Sequence, residues 1–413
     1  MAGNHTQSGA QGCPSYERTK ELLQELIRTD TSQPGGNERR LTEKLEELFE
    51  GRTSFDRICH GGQRQSLLVR ISSGQDSEDK TGNVSEKKNG GLVLCGHLDT
   101  VPCGDSQVWD MPPLSGEFRD GRIYGRGAAD MKGGVTAMLL TAEYFLNRRE
   151  RLKRPIFFCF TADEENQGIG ARALAAHPWM REASELLICE PTDGRIGCCE
   201  KGALWVKLTA RGRSSHGSAP EKGINALAYL AELCSIVEKM IRELWRSRRS
   251  GRHRLLGEET VSLTMLRGGE AANIVPGQAE AVLDIRTVPG SASHRELMRL
   301  IEWLAGEQER RMIGLRIETE ILNDRPPLEI SVRSPQAERM ERALQNNERE
   351  GRCIGISYYT DASILIPKWQ IPFLIVGPGE IHQMHCANES ISVREVQEMT
   401  KVYIEYAERF CRS

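Results

Sequence analysis

The chain has 413 residues, more than one hydrophobic core usually supports, so two domains are expected. A formal net charge of −3 offers no basic excess for nucleic acid or an acidic membrane surface. No apolar stretch approaches the roughly 20 residues of a bilayer span, and residues 1–13 are polar, without the apolar centre of a secretory signal. The twelve cysteines are scattered without a Cys-x-x-Cys pair, which reads as reduced thiols in a cytoplasmic protein.

Residues 15–29 place Leu22, Leu23, Leu26 and Ile27 on one helical stripe. After a Ser-Gln-Pro-Gly-Gly turn, a second amphipathic helix runs through Leu41, Leu45 and Leu48. Residues 72–90, rich in Ser, Asp, Lys, Asn and Gly, read as a solvated loop. Gly91-Leu-Val-Leu-Cys95 is a short continuous apolar run, the pattern of a strand buried on both faces, and it leads into Gly96-His97-Leu98-Asp99. A helix opens at Gly133-Gly134, directly after Asp130. Ile156-Phe-Phe-Cys-Phe160 runs into Asp163-Glu164-Glu165, and Leu186-Leu-Ile-Cys189 runs into Glu190-Pro191-Thr192.

Near residue 196 the pattern changes. Leu204, Val206 and Leu208 alternate with Trp205, Lys207 and Thr209, a strand with one face in water. A helix follows through Leu227, Leu230, Cys234, Val237 and Ile241, then strands near 259–267 and 279–287 and a helix near 293–309. Residues 196–313 thus read as a smaller domain inserted into a larger one formed by 1–195 and 314–413. Pro372-Phe-Leu-Ile-Val376 leads through Gly-Pro-Gly to His382 and His385, and an amphipathic helix at 393–411 ends the chain.

Four buried runs therefore end on residue types that bind zinc. In open α/β sheets ligands bind outside the carboxyl ends of the strands, so these groups converge on one edge. Zinc takes His nitrogen and carboxylate oxygen. On a strand, positions i and i+2 share a face, which places Asp99 to accept a hydrogen bond from the free ring nitrogen of His97. A lone His-x-Asp is more often structural, and an acidic triplet more often a solvated turn. Three acids directly after five apolar residues are costly unless a cation offsets them, and two adjacent glutamates can supply one ligand and one base. The Gly-rich stretch 125–134 lacks the Gly-Lys-Ser/Thr of a P-loop and the spacing of a dinucleotide fingerprint.

Five motifs in order, Gly96-His-Leu-Asp-Thr-Val101, Gly125-Arg-Gly-Ala-Ala-Asp-Met-Lys-Gly-Gly134, Ala162-Asp-Glu-Glu165, Glu190-Pro-Thr192 and His385-Cys-Ala-Asn-Glu389, resemble a known family. It is that of the co-catalytic zinc amidohydrolases, which include succinyl-diaminopimelate desuccinylase, acetylornithine deacetylase and carboxypeptidase G. The resemblance covers roughly residues 18–410. It implies an α/β fold, a zinc-peptidase-like, mainly parallel sheet flanked by helices, with an inserted α+β (ferredoxin-like) domain for dimerisation and lid closure. It implies two zinc ions per subunit, with cobalt or manganese as substitutes. Asp130 would bridge them, His97 and Glu190 would complete one site, and Glu165 and His385 the other. Glu164 would be the general base and Asp99 the orienting acid. The Asp130–Met131 peptide is expected to be cis. His382 does not fit the His-x-x-Asn/Asp-Glu pattern; His385 does.

In the inserted domain, Ser214-Ser215-His216-Gly217-Ser218 resembles a segment whose histidine reaches across a dimer to the oxyanion. Asn273 and Arg286 resemble residues that hold a substrate carboxylate, although Arg286 also suits a salt bridge with Asp284. The implied reaction is amide hydrolysis of an N-acyl amino acid, of the desuccinylase or deacetylase type in amino-acid biosynthesis, by a homodimer. A dipeptidase or carboxypeptidase of the same mechanism, and a silent binding protein, are the alternatives. One departure is a stretch with Arg242, Arg246, Arg248, Arg249, Arg252 and Arg254, read as a solvated face rather than a nucleic-acid patch because no aromatic array accompanies it.

Overall fold

The computed structural model describes residues 14–73, 90–248 and 252–412. The readings for residues 1–13, for most of the 72–90 loop and for Arg249 lie outside the described residues. The chain divides into two compact units, one running to Cys198 and taking up Ile330–Ile354 and the residues from Thr360 onward, the other formed by Cys199–Glu329 and Gly355–Tyr359.

The first unit is built on a mixed sheet in the order Ser54–Gly61, Arg64–Ile71, Ile156–Thr161, Gly91–His97, Ala183–Ile188, Phe373–Ile375, Ile196–Glu200. Its four central strands, 156–161, 91–97, 183–188 and 373–375, are parallel. Strands 91–97 and 156–161 are buried at every position, which is why their residues form continuous apolar runs. The 54–61/64–71 hairpin closes one edge antiparallel.

Helices cover the sheet. Tyr16–Arg28 is capped by the Ser15 hydroxyl, which accepts the Arg18 N–H at 3.2 Å, and it buries Leu22, Leu23, Leu26 and Ile27 as the stripe requires. Gly133–Leu146 is apolar nearly all round because it is almost wholly buried. A Cβ on Gly134 would lie 2.1 Å from the Cys189 carbonyl oxygen, so only glycine lets this helix start against the strand end that carries Glu190. Val393–Arg412 buries eleven residues along its inner stripe. Among the described residues, no helix is long and apolar enough to cross a membrane.

The second unit is a four-stranded antiparallel sheet in the order Thr260–Gly268, Gln278–Thr287, Gly202–Arg211, Arg316–Arg325. Helices Ala226–Ser247 and His294–Arg311 pack on one face through Leu204, Val206, Leu208, Leu283 and Ile285. The chain order β-α-β-β-α-β with this spatial order is ferredoxin-like. Strand 316–325 pairs with 202–211, so this unit extends beyond residue 313, where the sequence pattern placed its end. The strand is mostly exposed and polar and carries no continuous apolar run that would mark it in the sequence. Arg242 and Arg248 are engaged with Glu238 and Glu296, while Arg246, Arg252 and Arg254 are exposed.

Candidate metal centre

Strand 91–97 ends on His97, which is buried, and its Nδ1 lies 2.9 Å from the backbone carbonyl oxygen of Asp99. A carbonyl only accepts, so Nδ1 carries a proton, and in the neutral ring the lone pair that a metal would take is on Nε2. That Nε2 faces Asp130 Oδ1 at 3.1 Å and Glu190 Oε1 at 3.2 Å. The second oxygen of Asp130 lies 3.2 Å from Nε2 of His385, which in turn is 3.1 Å from Glu165 Oε2. Asp130 thus has one imidazole at each carboxylate oxygen.

The elbow that carries Asp130 is imposed by a residue the sequence reading quoted without a role. The buried Glu389 carboxylate accepts the N–H groups of Gly127, Ala129 and Asp130 at 3.0, 2.8 and 3.0 Å and pairs with Arg126 at 2.8 Å. The Asp130–Met131 peptide is cis, as expected. Asp361 was missed altogether; it stands before helix Ala362–Trp369, and its carboxylate accepts the Thr161 hydroxyl at 2.6 Å. Only its position ahead of a helix could have drawn attention to it.

Asp99 behaves differently from the expectation. Its carboxylate oxygen is 3.7 Å from His97 Nδ1, and it is its main-chain oxygen that takes the ring proton. The strand ends at His97, so the alternation argument that put both side chains on one face no longer applies. The carboxylate instead accepts the N–H groups of Glu164 and Glu165 at 3.1 and 3.2 Å and the Gln33 amide at 2.9 Å.

The electrostatics of this cluster call for a cation. Burial pushes Glu190 up to about 8 and Glu164 well above the usual carboxylate range, and it raises Glu165 as well. Burial also acts to raise Asp130, but the imidazoles of His385 and His97 outweigh it and hold the group low. Hydrogen bonds to Asp130 and Glu165 lift His385 to about 11. Desolvation opposes the imidazolium of His97, yet Glu190 and Asp130 keep its pKa well raised. Among the described residues, Glu164 Oε1 and Glu190 Oε2 are buried without a hydrogen-bond partner. Ligand atoms of His97, Glu164 and Glu190, and likewise of His97, Asp130 and Glu165, lie within 4.8 Å of one another. Two imidazole nitrogens facing carboxylates, orphaned carboxylate oxygens and an all-N/O donor set fit divalent metal. His382, 77% exposed and nearest to Glu380, stands apart from it.

The family model for peptidase family M20/M25/M40 matches residues 93–409, a span that contains every residue of this cluster. The chain belongs to this family. It is a metal-dependent hydrolase of amide bonds. Over 325 residues it is 30% identical to acetylornithine deacetylase of Photorhabdus laumondii, covering 78% of this chain and 81% of that protein. It is 28% identical over 325 residues to a probable succinyl-diaminopimelate desuccinylase of Staphylococcus epidermidis, covering 73% and 78%. Among solved structures, the M20 family metallo-carboxypeptidase of Sulfolobus solfataricus aligns with a TM-score of 0.75 at 18% identity, covering 96% of this chain and 99% of that one. A tripeptidase of Staphylococcus aureus aligns with a TM-score of 0.73 at 19% identity, over 97% and 100%. At these identities the structures speak for the M20 fold alone.

The other sequence-predicted residues lie in the second unit. His216 and Asn273 are neighbours there, because strand Ser215–His216 pairs with Ile274–Val275 and the Gly217 N–H donates to the Asn273 carbonyl at 2.7 Å. His216 Nδ1 accepts the Ser218 N–H at 3.2 Å, which leaves the ring proton on Nε2, exposed and free to donate. Arg286 makes a two-pronged pair with Asp284 at 2.7 and 3.1 Å, and its guanidinium lies 6.0 Å from the rings of Trp205 and Tyr359. The salt-bridge reading of Arg286 is therefore realised in this conformation.

Proposed function

We propose that this M20 hydrolase cleaves the amide bond of a small N-acyl amino acid, of the deacetylase or desuccinylase type, releasing a carboxylic acid and a free amine. The observation that carries the reading is the buried His97–Asp130–Glu165–Glu190–His385 cluster with the unpartnered Glu164 Oε1 beside it. His97, Asp130 and Glu190 would hold one divalent ion, and Asp130, Glu165 and His385 a second. Zinc is the ion best suited to this donor set, with cobalt or manganese as substitutes. When bound, such a pair supplies Lewis acidity, which polarises the acyl carbonyl and makes water nucleophilic at neutral pH.

The residues do the rest. Glu164, whose burial pushes it well above the usual carboxylate range, takes the proton of the attacking water and returns it to the leaving nitrogen. Asp99 orients it, holding the main chain of Glu164 and Glu165 through two N–H groups. His216 presents an Nε2–H, the form needed to donate to a developing oxyanion, and in this reading a second subunit delivers it. Asn273 and Arg286 would receive the substrate carboxylate, Arg286 by exchanging Asp284 for it.

A homodimer is part of the proposal. The edge strand 260–268 exposes Leu263, Met265 and Leu266, apolar side chains on a strand with an unpaired edge. A cytoplasmic location is also proposed; the buried thiols of Cys95, Cys159 and Cys189 suit a reducing compartment.

The test is a hydrolysis panel read by free-amine release, with and without chelator. It contains N-acetylornithine, N-succinyl-diaminopimelate, other N-acetyl amino acids and several dipeptides. One strongly preferred, chelator-sensitive N-acyl amino acid supports the reading. Preference for a dipeptide replaces it with a peptidase, and silence from metal-loaded protein moves the substrate outside these classes.

A further inference from the structure

Behind the turn that carries Glu164 and Glu165 lies a polar network that meets the chemistry proposed above only at Asp99. Asp163 adopts φ of +67°, a left-handed conformation that a non-glycine residue keeps only when its surroundings impose it. Its Oδ2 accepts the N–H groups of Gln167 and Ile169 at 3.2 and 3.4 Å. Its Oδ1 is gripped by Arg64 Nη1 and lies 3.4 Å from the Gln33 amide nitrogen. Arg64 Nη2 donates to the Gln33 side-chain oxygen and to the Pro34 carbonyl at 3.2 Å. Gln33 then donates to Asp99 Oδ2 at 2.9 Å, and Asp99 holds the N–H groups of Glu164 and Glu165. Gln33 is itself fixed, because its main-chain N–H donates to the Thr100 carbonyl at 2.8 Å. The network is a closed ring: Arg64 meets the 163–165 turn directly at Asp163 and again, through Gln33 and Asp99, at the next two residues.

The geometry points to Arg64 as a positioning residue for the proposed base and its neighbouring metal ligand. Its partners are Asp163, Gln33, Pro34 and Glu38, and it braces residues 163–165 through the Asp163 carboxylate and through the Gln33–Asp99 relay, so that Glu164 and Glu165 diverge into their two roles. The inference rests on the roles proposed for these glutamates. Asp99, Asp163 and Glu38 are buried carboxylates around the same point, and Arg64 is the cation that contacts Asp163 and lies 3.9 Å from Glu38. An arginine is required rather than a lysine because one planar fork spans a carboxylate and two carbonyl oxygens at once.

The test compares the full-length wild type with Arg64→Met and Arg64→Lys, each loaded with Co2+. Methionine keeps the aliphatic stem packed and removes every donor; lysine restores the charge but reaches fewer acceptors. The readouts are the visible absorption of bound Co2+, its retention against a competing chelator, and kcat and KM separately at saturating metal. Arg64→Met is expected to shift the absorption, to hold Co2+ about 10–100-fold more weakly and to lose kcat by a similar factor, with KM within about twofold. Arg64→Lys is expected to recover part of each. Wild-type absorption, retention and kcat in Arg64→Met, with only a lower melting temperature, would make Arg64 merely structural and overturn the inference. Should Arg64→Met fail to fold, Gln33→Ala cuts the relay to Asp99 and leaves the Arg64–Asp163 pair, and an unchanged Co2+ spectrum and kcat there overturn it equally. A wild type that binds no Co2+ overturns the metal centre and this inference together. A wild type that binds Co2+ but cleaves nothing on the panel overturns the substrate reading alone, and the Co2+ comparison still decides Arg64.

Discussion

Glu164 has a carboxylate oxygen that is buried and unpartnered, on a residue whose main chain is held by Asp99. If it is the base, Glu164→Gln keeps size and polarity but cannot take a proton. Its kcat should fall by at least about 10²-fold, within the usual yield of general-base catalysis, while metal content by atomic spectrometry stays at the wild-type level. Full activity in a metal-replete variant rules the assignment out. Glu38 makes a pH prediction. Burial and the neighbouring Asp99 push its carboxyl up to about 7 from an ordinary 4.5, against the pull of Arg64. The folded state then binds this proton more tightly than the unfolded chain, so the contribution is fully present below about 4.5 and is lost as pH rises through about 7. Glu38→Gln should melt near the wild type at pH 5 and above it at pH 8, measured at equal metal loading. A constant gap between the two proteins across that range contradicts the assignment. Of these residues, the acids at strand ends were legible one by one. The partners of Asp99 were not, because they depend on where the strand stops rather than on residue spacing.

At the scale of elements, the elbow between Gly125 and Gly133 holds one irregular helical turn, Ala128–Lys132, broken at Asp130 and Met131. Three of its N–H groups, those of Gly127, Ala129 and Asp130, are satisfied by the Glu389 carboxylate, from a loop some 260 residues away in sequence. Glu389→Ala would strand three donors and the buried Arg126. Removing one partner of such a pair typically costs about 3–5 kcal/mol, measurable by denaturant unfolding, and metal affinity should fall with it because Asp130 loses its mount. Loss of stability with unchanged metal binding would separate the two roles. In the second unit, the edge strand 260–268 gives a prediction about assembly. Met265→Lys, placing a charge among exposed apolar side chains, should shift a dimer toward monomer in sedimentation. A wild type that sediments as a monomer removes the homodimer from the proposal. The helices with clean apolar stripes and the buried parallel strands could be read from periodicity. Strand 316–325 could not, since an exposed edge strand needs no apolar pattern to pair.

For the whole molecule, the buried acids and imidazoles tie stability to metal. Chelation should abolish turnover and lower the melting temperature, and restoring Zn2+ at about a hundred times its Kd should return roughly 2.7 kcal/mol per site. A chelated protein that melts unchanged would mean that its carboxylates are balanced without a cation.

The sequence by itself determined the chemistry available to this protein. Four buried strands with His, Asp and Glu at their carboxyl ends force those groups to one sheet edge, and the ordered motifs narrow the reading to a metal-dependent amidohydrolase. Tertiary structure decided how each group is held: which oxygen of Asp99 meets His97, that Glu389 mounts the Asp130 elbow, and that Arg64, Gln33 and Asp163 brace the turn under the proposed base. The reason is physical. Strand and helix patterns are local consequences of burial and periodicity, whereas hydrogen bonds between loops depend on which distant segments the packed core brings within 3 Å.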